Sequence, residues 1–134
     1  MASASEIFSS VKELETHLTS LGTKDVVIYF YGSSLETGVS WCSDCDASKN
    51  IILSTSEKRR SSLEFIRCEV GGRDSWIDPK NEFRTGVFSL NSIPTLLALR
   101  ISGGQMKQQL HKFEEDECLN ETNLSNVFIS QWFD

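Results

Sequence analysis

The sequence predicts an α/β fold, a central mixed β-sheet flanked by helices on both faces, parallel at first and antiparallel at one edge. Three observations predict it. The run Val26-Val-Ile-Tyr-Phe30 has no polar face, as expected of a strand covered on both sides. Segments of helical spacing interleave with strand-like runs in the order αβ, αβ, α, ββ, α. The last two strand-like runs are joined by Gly103-Gly104, a hairpin signal.

The first helix opens at Ser10-Val-Lys-Glu13, a capping box in which each side chain satisfies a free N–H of the first turn. Val11, Leu14, Leu18 and Leu21 follow on one helical face, and Gly22 supplies the stop. After the apolar strand, Gly32 ends the run, and a polar loop from Ser33 to Ser40 leads to Trp41-Cys42-Ser43-Asp44-Cys45. A helix is expected from Ser43 to about Arg60, with Ile51, Ile52 and Leu53 inward. Its end carries Lys58-Arg59-Arg60, cations suited to the macrodipole and read as a solvated helix end.

A second strand is expected from Leu63 to Val70, turned by Gly71-Gly72. Asp78-Pro79 reads as an N-cap and first helical residue of a short helix through Phe83. Thr95 to Ile101 and Lys107 to Phe113 are the third and fourth strands, and Asn123 to Phe133 is a closing helix. Cys68 reads as a small buried hydrophobe, Cys118 as an inert thiol, and Trp76 and Trp132 as packing residues.

A chain of 134 residues without repeats or linkers predicts one domain over 1–134, with residues 1–5 a frayed N-terminus. Thirteen basic and nineteen acidic residues give a net charge of −6, which argues against a nucleic-acid partner. The first residues, Met1 to Glu6, carry neither a positive nor an apolar region, so no secretory leader is expected. The longest apolar run, Val26 to Tyr31, falls far short of the ~20 residues that span a bilayer, so no membrane association is expected. Four cysteines are too few for a secreted disulfide scaffold, which predicts a reducing, cytoplasmic location.

Chemistry concentrates at Cys42-x-x-Cys45. A cysteine between a buried strand and a helix faces free N–H groups and the positive end of the helix dipole, and both favour the thiolate. Cysteines so placed ionise at about 3.5–7.5 instead of ~8.5. Cys42 is therefore the expected nucleophile, and the spacer returns Cys45 to disulfide reach as the resolving thiol. Pro94, after Ile93 and ahead of a strand, is the second element. A cis Ile93–Pro94 bond would set the backbone of Ile93 to dock an extended substrate. Taken alone, the sequence favours an ordinary trans proline, because only ~5–6% of X–Pro bonds are cis.

The series Tyr29-Phe30-x-Gly32, Trp41-Cys42-x-Asp44-Cys45, Glu69-Val70-Gly71, Trp76-x-Asp78-Pro79-x-Asn81-x-Phe83-Arg84, Pro94-Thr95-Leu96 and Glu117-Cys118-Leu119 spans nearly the whole chain. In it the chain resembles the fourteen-kilodalton thioredoxin-related (thioredoxin domain-containing protein 17) family. The resemblance implies a thioredoxin fold, a cis bond before Pro94 and a cytosolic dithiol–disulfide reductase; a monomer is expected. It implies no bound cofactor: electrons come from NADPH through the partner thioredoxin reductase. The implied substrates are small disulfides such as cystine and selected protein disulfides. Trp41 and Asp44 match the family's motif residues.

Two departures stand out. Ser43 occupies a position where the family usually has Pro, which predicts a shifted reduction potential. Tyr29 matches the position of thioredoxin's buried Asp, a departure the related family shares, so the base for Cys45 is unassigned. Asp44 is either a tuning residue or a solvated bystander. A structural zinc site is the alternative from metal chemistry, but Cys68 and Cys118, 50 residues apart, do not make a second ligand pair. A non-catalytic adaptor on the same fold is the other alternative.

Overall fold

The computed structural model describes residues 7–33 and 40–132. The elements are β1 (Ile7–Phe8), α1 (Val11–Ser20), β2 (Lys24–Tyr31), α2 (Ser43–Ser56), β3 (Leu63–Glu69), α3 (Arg73–Ile77), α4 (Glu82–Thr85), β4 (Thr95–Ser102), β5 (Gln105–Glu114) and α5 (Glu121–Phe128), with a 3₁₀ turn at Glu115–Leu119. They form one sheet in the order β1-β3-β2-β4-β5. β1, β3 and β2 run parallel, and β4 and β5 are antiparallel to their neighbours. The expected mixed sheet is therefore present, with its antiparallel edge where the hairpin signal placed it.

β2 is the middle strand, and Val26 through Tyr31 are buried without interruption. Alternation sends neighbouring side chains to opposite faces, and ring contacts identify what covers each. Phe30 meets Phe83 of α4 and Phe88 at centroid distances of 6.1 and 5.3 Å, while Phe8 meets His17 of α1 at a tilt, 5.0 Å away. On the other face Tyr29 reaches α2, and Phe65, paired in register with Val27, meets Phe128 of α5 edge-on at 5.3 Å. Helices thus cover both faces. Among the described residues no helix is long and apolar enough to cross a membrane.

The hairpin turn is as compact as the sequence predicts. Ser102 pairs with Gln105, leaving Gly103 and Gly104 as the two-residue loop with φ of 60° and 74°. Positive φ at both positions is the twist-compatible turn that glycine adopts without penalty. A side chain at Gly104 would also stand 2.8 Å from the carbonyl oxygen of Thr19.

Several boundaries differ from expectation, each for a local reason. At α1 the Ser10 hydroxyl accepts from the Glu13 amide, but the Glu13 carboxylate takes the Ser10 hydroxyl proton at 3.0 Å rather than the Ser10 amide. α2 stops at Ser56, and of Ile51, Ile52 and Leu53 only Ile52 is fully buried. Ser54, Thr55 and Ser56 donate their hydroxyls back to carbonyls of the preceding turn, a competition that weakens helices. Lys58-Arg59-Arg60 therefore lies beyond the helix, and only Lys58 is solvated as expected. Arg59 donates to the carbonyls of Ser56 and Leu63, and Arg60 pairs with Asp25.

The short helix expected at Asp78 is α4 instead, capped by Asn81. Asp78 spends its carboxylate on the Lys80 amide, whereas Asn81 accepts from Phe83 and donates to the carbonyls of Val70 and Ser75. α5 starts at Glu121 because Asn120 caps it, and it ends at Phe128, where Trp132 folds back to donate its indole N–H to the Val127 carbonyl. The closing helix is thus shorter than expected. β1, α3 and the 3₁₀ turn carry too few residues to show a period. The expected frayed N-terminus and most of the Ser33–Ser40 loop lie outside the described residues.

At the start of β2, Asp25 is held between Arg60 at 2.7 Å and Arg100 at 2.9 Å. Burial alone pushes its carboxyl up, but hydrogen bonds and charge from the two arginines outweigh this and leave it below the ordinary value. A carboxyl lowered in the folded state contributes stability above its unfolded pKa, and the contribution is lost as pH falls through the folded value. Asp25→Asn should therefore lower unfolding free energy at pH 7 by about 2 kcal/mol, the scale of charge-assisted bonds. Urea unfolding should show that deficit narrowing below about pH 4; an equal deficit at pH 7 and pH 3 would refute the assignment.

Candidate functional site

The site forms where β2 ends and α2 begins. Cys42 is the N-cap of α2, with an extended backbone (φ −90°, ψ 109°), and its sulfur accepts the Cys45 amide at 3.1 Å. Its carbonyl accepts the Asp46 amide at 3.0 Å, so helical bonding begins at this residue. A cysteine here does what Ser or Asp does at other helix starts, presenting an electron-rich atom to the unpaired N–H groups. The sulfurs of Cys42 and Cys45 are at disulfide distance, with Cα atoms 5.2 Å apart. Cys45 lies inside the first turn and is 1% exposed, against 9% for Cys42.

The approach to Cys42 is fixed by Trp41, which the sequence pointed to, and by Ser40 and Gly32, whose parts it did not show. The Ser40 hydroxyl donates to the Gly32 carbonyl at 2.7 Å and accepts the Cys42 amide at 3.2 Å, joining the end of β2 to the nucleophile position. The Gly32 amide lies 3.4 Å from the Cys45 sulfur, so each sulfur receives a main-chain N–H. The Trp41 ring lies on Gly32, where a Cβ would stand 2.7 Å from the indole. Its N–H donates to the Gly71 carbonyl at 2.9 Å. Gly32 is therefore glycine to seat this ring, beyond ending a strand. Trp41 is half-buried, a latch between the cysteine loop and the end of β3.

Beneath Cys45, the Tyr29 hydroxyl donates to the Cys45 carbonyl at 2.9 Å and lies 3.2 Å from the Ser48 hydroxyl, which also donates to that carbonyl. Burial pushes the Tyr29 hydroxyl up to about 12, so it is neutral and is no base at physiological pH. Ser43 and Asp44 are exposed on the first turn of α2.

The Ile93–Pro94 peptide bond is cis. Thr95 pairs with Phe30, which places Pro94 at the same sheet end as Gly32 and the cysteines. Ile93 and Pro94 are both buried. The Pro94 carbonyl accepts from the Glu115 amide at 2.8 Å and lies 3.7 Å from the Cys118 sulfur. Cys118 and Cys68 are fully buried, and burial raises both thiols, Cys118 to about 12. Neither joins the Cys42–Cys45 pair, and among the described residues no three His, Cys, Asp or Glu side chains are grouped to hold a metal.

Comparisons with known proteins agree with this geometry. The family model described as thioredoxin domain-containing protein 17-like, thioredoxin domain, matches residues 5–130. The human thioredoxin domain-containing protein 17 is 32% identical over 108 residues, covering 81% of this chain and 80% of that protein. The mouse protein of the same name is 30% identical, covering 78% of each. Among solved structures, Trichomonas vaginalis thioredoxin superposes with a TM-score of 0.59 at 18% identity, covering 91% of this chain and 96% of its own. Fasciola hepatica thioredoxin gives 0.60 at 18%, covering 90% and 93%. These structures share the fold. With a thioredoxin fold, a paired Cys42 and Cys45 at the head of its second helix and a family match along most of its length, the chain belongs to the thioredoxin domain-containing protein 17-like family and carries a thioredoxin-like redox site.

Proposed function

We propose that this protein is a cytosolic, monomeric dithiol–disulfide reductase acting on small disulfides such as cystine and on selected protein disulfides. The observation that carries the reading is the Cys42 sulfur capping α2 with the Cys45 sulfur within bonding reach. In the reduced protein the amide that points at Cys42 stabilises a sulfur anion more than a thiol. The Cys42 thiolate attacks one sulfur of the substrate disulfide, forms a mixed disulfide and releases the other half as a thiolate. Cys45 then attacks the Cys42 sulfur, the second half leaves as a thiolate, and the Cys42–Cys45 disulfide forms. The substrate gains two electrons and the cysteine pair loses two. NADPH, through thioredoxin reductase, returns them.

The remaining residues have supporting parts. Among the described residues no carboxylate is placed as base for Cys45, and the Gly32 amide is the group that favours its thiolate. Ile93, beside the cis proline, docks substrate through its backbone, and Trp41 fixes the loop that carries Cys42. Ser43 leaves the start of α2 without the φ restraint that proline supplies there. Asp44, exposed and one residue before the resolving cysteine, tunes the site through its charge.

A coupled assay with NADPH and thioredoxin reductase tests the function. Cystine should be turned over, insulin poorly, and Cys42→Ser should be inactive; absence of NADPH oxidation with both substrates would reject the reading. Alkylation of the reduced protein across a pH series should follow a midpoint at least about one unit below the ~8.5 of free cysteine. Tyr29→Phe should leave that midpoint unchanged while lowering stability by about 1 kcal/mol, and a moved midpoint would mean that the tyrosine tunes the sulfur directly. Ser43→Pro should shift the reduction potential, read by glutathione titration, by on the order of 10–30 mV; a potential equal to wild type would remove Ser43 as a tuning residue.

A further inference from the structure

A backbone segment that docks substrate binds best when it is held in shape beforehand, because ordering it on binding costs affinity. The bend at residues 92–94 is held in this way by the end of β5. The Ser92 hydroxyl donates to the Glu114 carboxylate at 2.8 Å, across 22 residues of sequence. The Pro94 carbonyl accepts the Glu115 amide at 2.8 Å. These two bonds bracket Ile93, one on each of its neighbours. Within the bend, the Thr95 hydroxyl donates to the Ser92 carbonyl at 2.8 Å.

Glu114 is itself fixed. It is the last residue of β5 and pairs in register with Thr95. Its amide donates to the Glu117 carboxylate at 3.0 Å. Glu115 follows with a φ of 53°, in the left-handed region that a residue with a side chain occupies only where its surroundings over-determine it. That turn directs the Glu115 amide onto the Pro94 carbonyl. Ser92 and Glu114 are both half-buried, so their bond is partly shielded from water. A hydroxyl donating to a carboxylate makes a stronger bond than one donating to a neutral oxygen.

We propose that Glu114 is a positioning residue of the reductase: through Ser92 it fixes the backbone at Ile93, and so sets how well peptide disulfides compete with small ones. This rests on the docking role proposed for Ile93. An extended peptide pairs with that backbone in strand fashion and is sensitive to its placement. A disulfide without peptide groups has no such pairing to lose. Glu114 therefore acts on specificity at one remove, through the shape of the bend.

The coupled assay with NADPH and thioredoxin reductase tests this with two substrates. One is bis(2-hydroxyethyl) disulfide; the other is the disulfide dimer of an acetylated, amidated tripeptide with cysteine in the middle. The readout is the ratio of kcat/KM for the peptide to kcat/KM for hydroxyethyl disulfide. Glu114→Ala and Ser92→Ala should each lower that ratio about tenfold, the scale of one charge-assisted hydrogen bond. The double variant should go no lower, because both substitutions delete the same bond. Glu114→Gln should stay within about threefold of wild type, since its amide oxygen still accepts the Ser92 hydroxyl, more weakly. Alkylation of Cys42 should keep its wild-type midpoint in every variant, which also certifies the fold; if Glu114→Ala does not fold, Ser92→Ala decides alone. An unaltered ratio in either single variant that alkylates normally, a moved midpoint, or a wild type that reduces hydroxyethyl disulfide but not the peptide would overturn the proposal. A wild type that reduces neither would overturn the reductase reading itself.

Discussion

The site depends on one hydrogen bond, from the Cys45 amide to the Cys42 sulfur at 3.1 Å. It is the third N–H of a fourteen-residue helix, one of the unpaired donors of the first turn, meeting the side-chain atom placed to accept it. Because Cys42 is the cap, the same geometry that starts α2 directs an amide at the sulfur. Helix formation and, on the proposed mechanism, nucleophile activation are then one event, and the fold's own stability maintains the electrostatics. The Ser40 bridge and the Trp41 latch serve this bond by fixing where the loop delivers Cys42.

The middle strand sets the rest. Tyr29 is buried, yet its hydroxyl is satisfied twice, by the Cys45 carbonyl and by Ser48. An acid at that position would add a buried titratable charge beside the resolving cysteine; a tyrosine raised to about 12 adds a neutral dipole. The floor of the site is thus electrically constant across the physiological range. The groups that donate to the sulfurs are main-chain amides, which have no pKa in that range and so respond to pH only through the thiols themselves.

Much of this was legible in the residues because it rests on local rules. The β2 run, the Gly103-Gly104 turn and the cysteine pair each depend on neighbours within a few positions, and each lies where those rules put it. What stayed hidden depends on partners distant in sequence. Gly32 reads as a terminator until Trp41 is seen lying on it. Lys58-Arg59-Arg60 reads as a solvated end until Asp25, 35 residues before Arg60, is found beside it. Asp78 and Asn81 are equivalent caps by composition; the carbonyls of Val70 and Ser75 decide for Asn81. The cis state of Ile93–Pro94 has no local signal at all, and only the family resemblance pointed to it.

The remaining two cysteines show why residue type alone does not make a redox centre. Cys118 lies near the Pro94 carbonyl at the same sheet end as the active pair, yet it is fully buried and raised to about 12. Cys68 is buried in β3, its ionisation opposed first by burial and then by nearby Glu69, Glu82 and Glu13. At Cys118 burial outweighs the one main-chain hydrogen bond that favours its anion, from Leu96. Cys42 and Cys45 receive main-chain N–H groups that favour the anion, while burial dominates at Cys68 and Cys118 and holds both as thiols. On the proposed mechanism, a mixed disulfide formed at Cys42 therefore meets one competent attacker, Cys45, and the exchange closes within the pair.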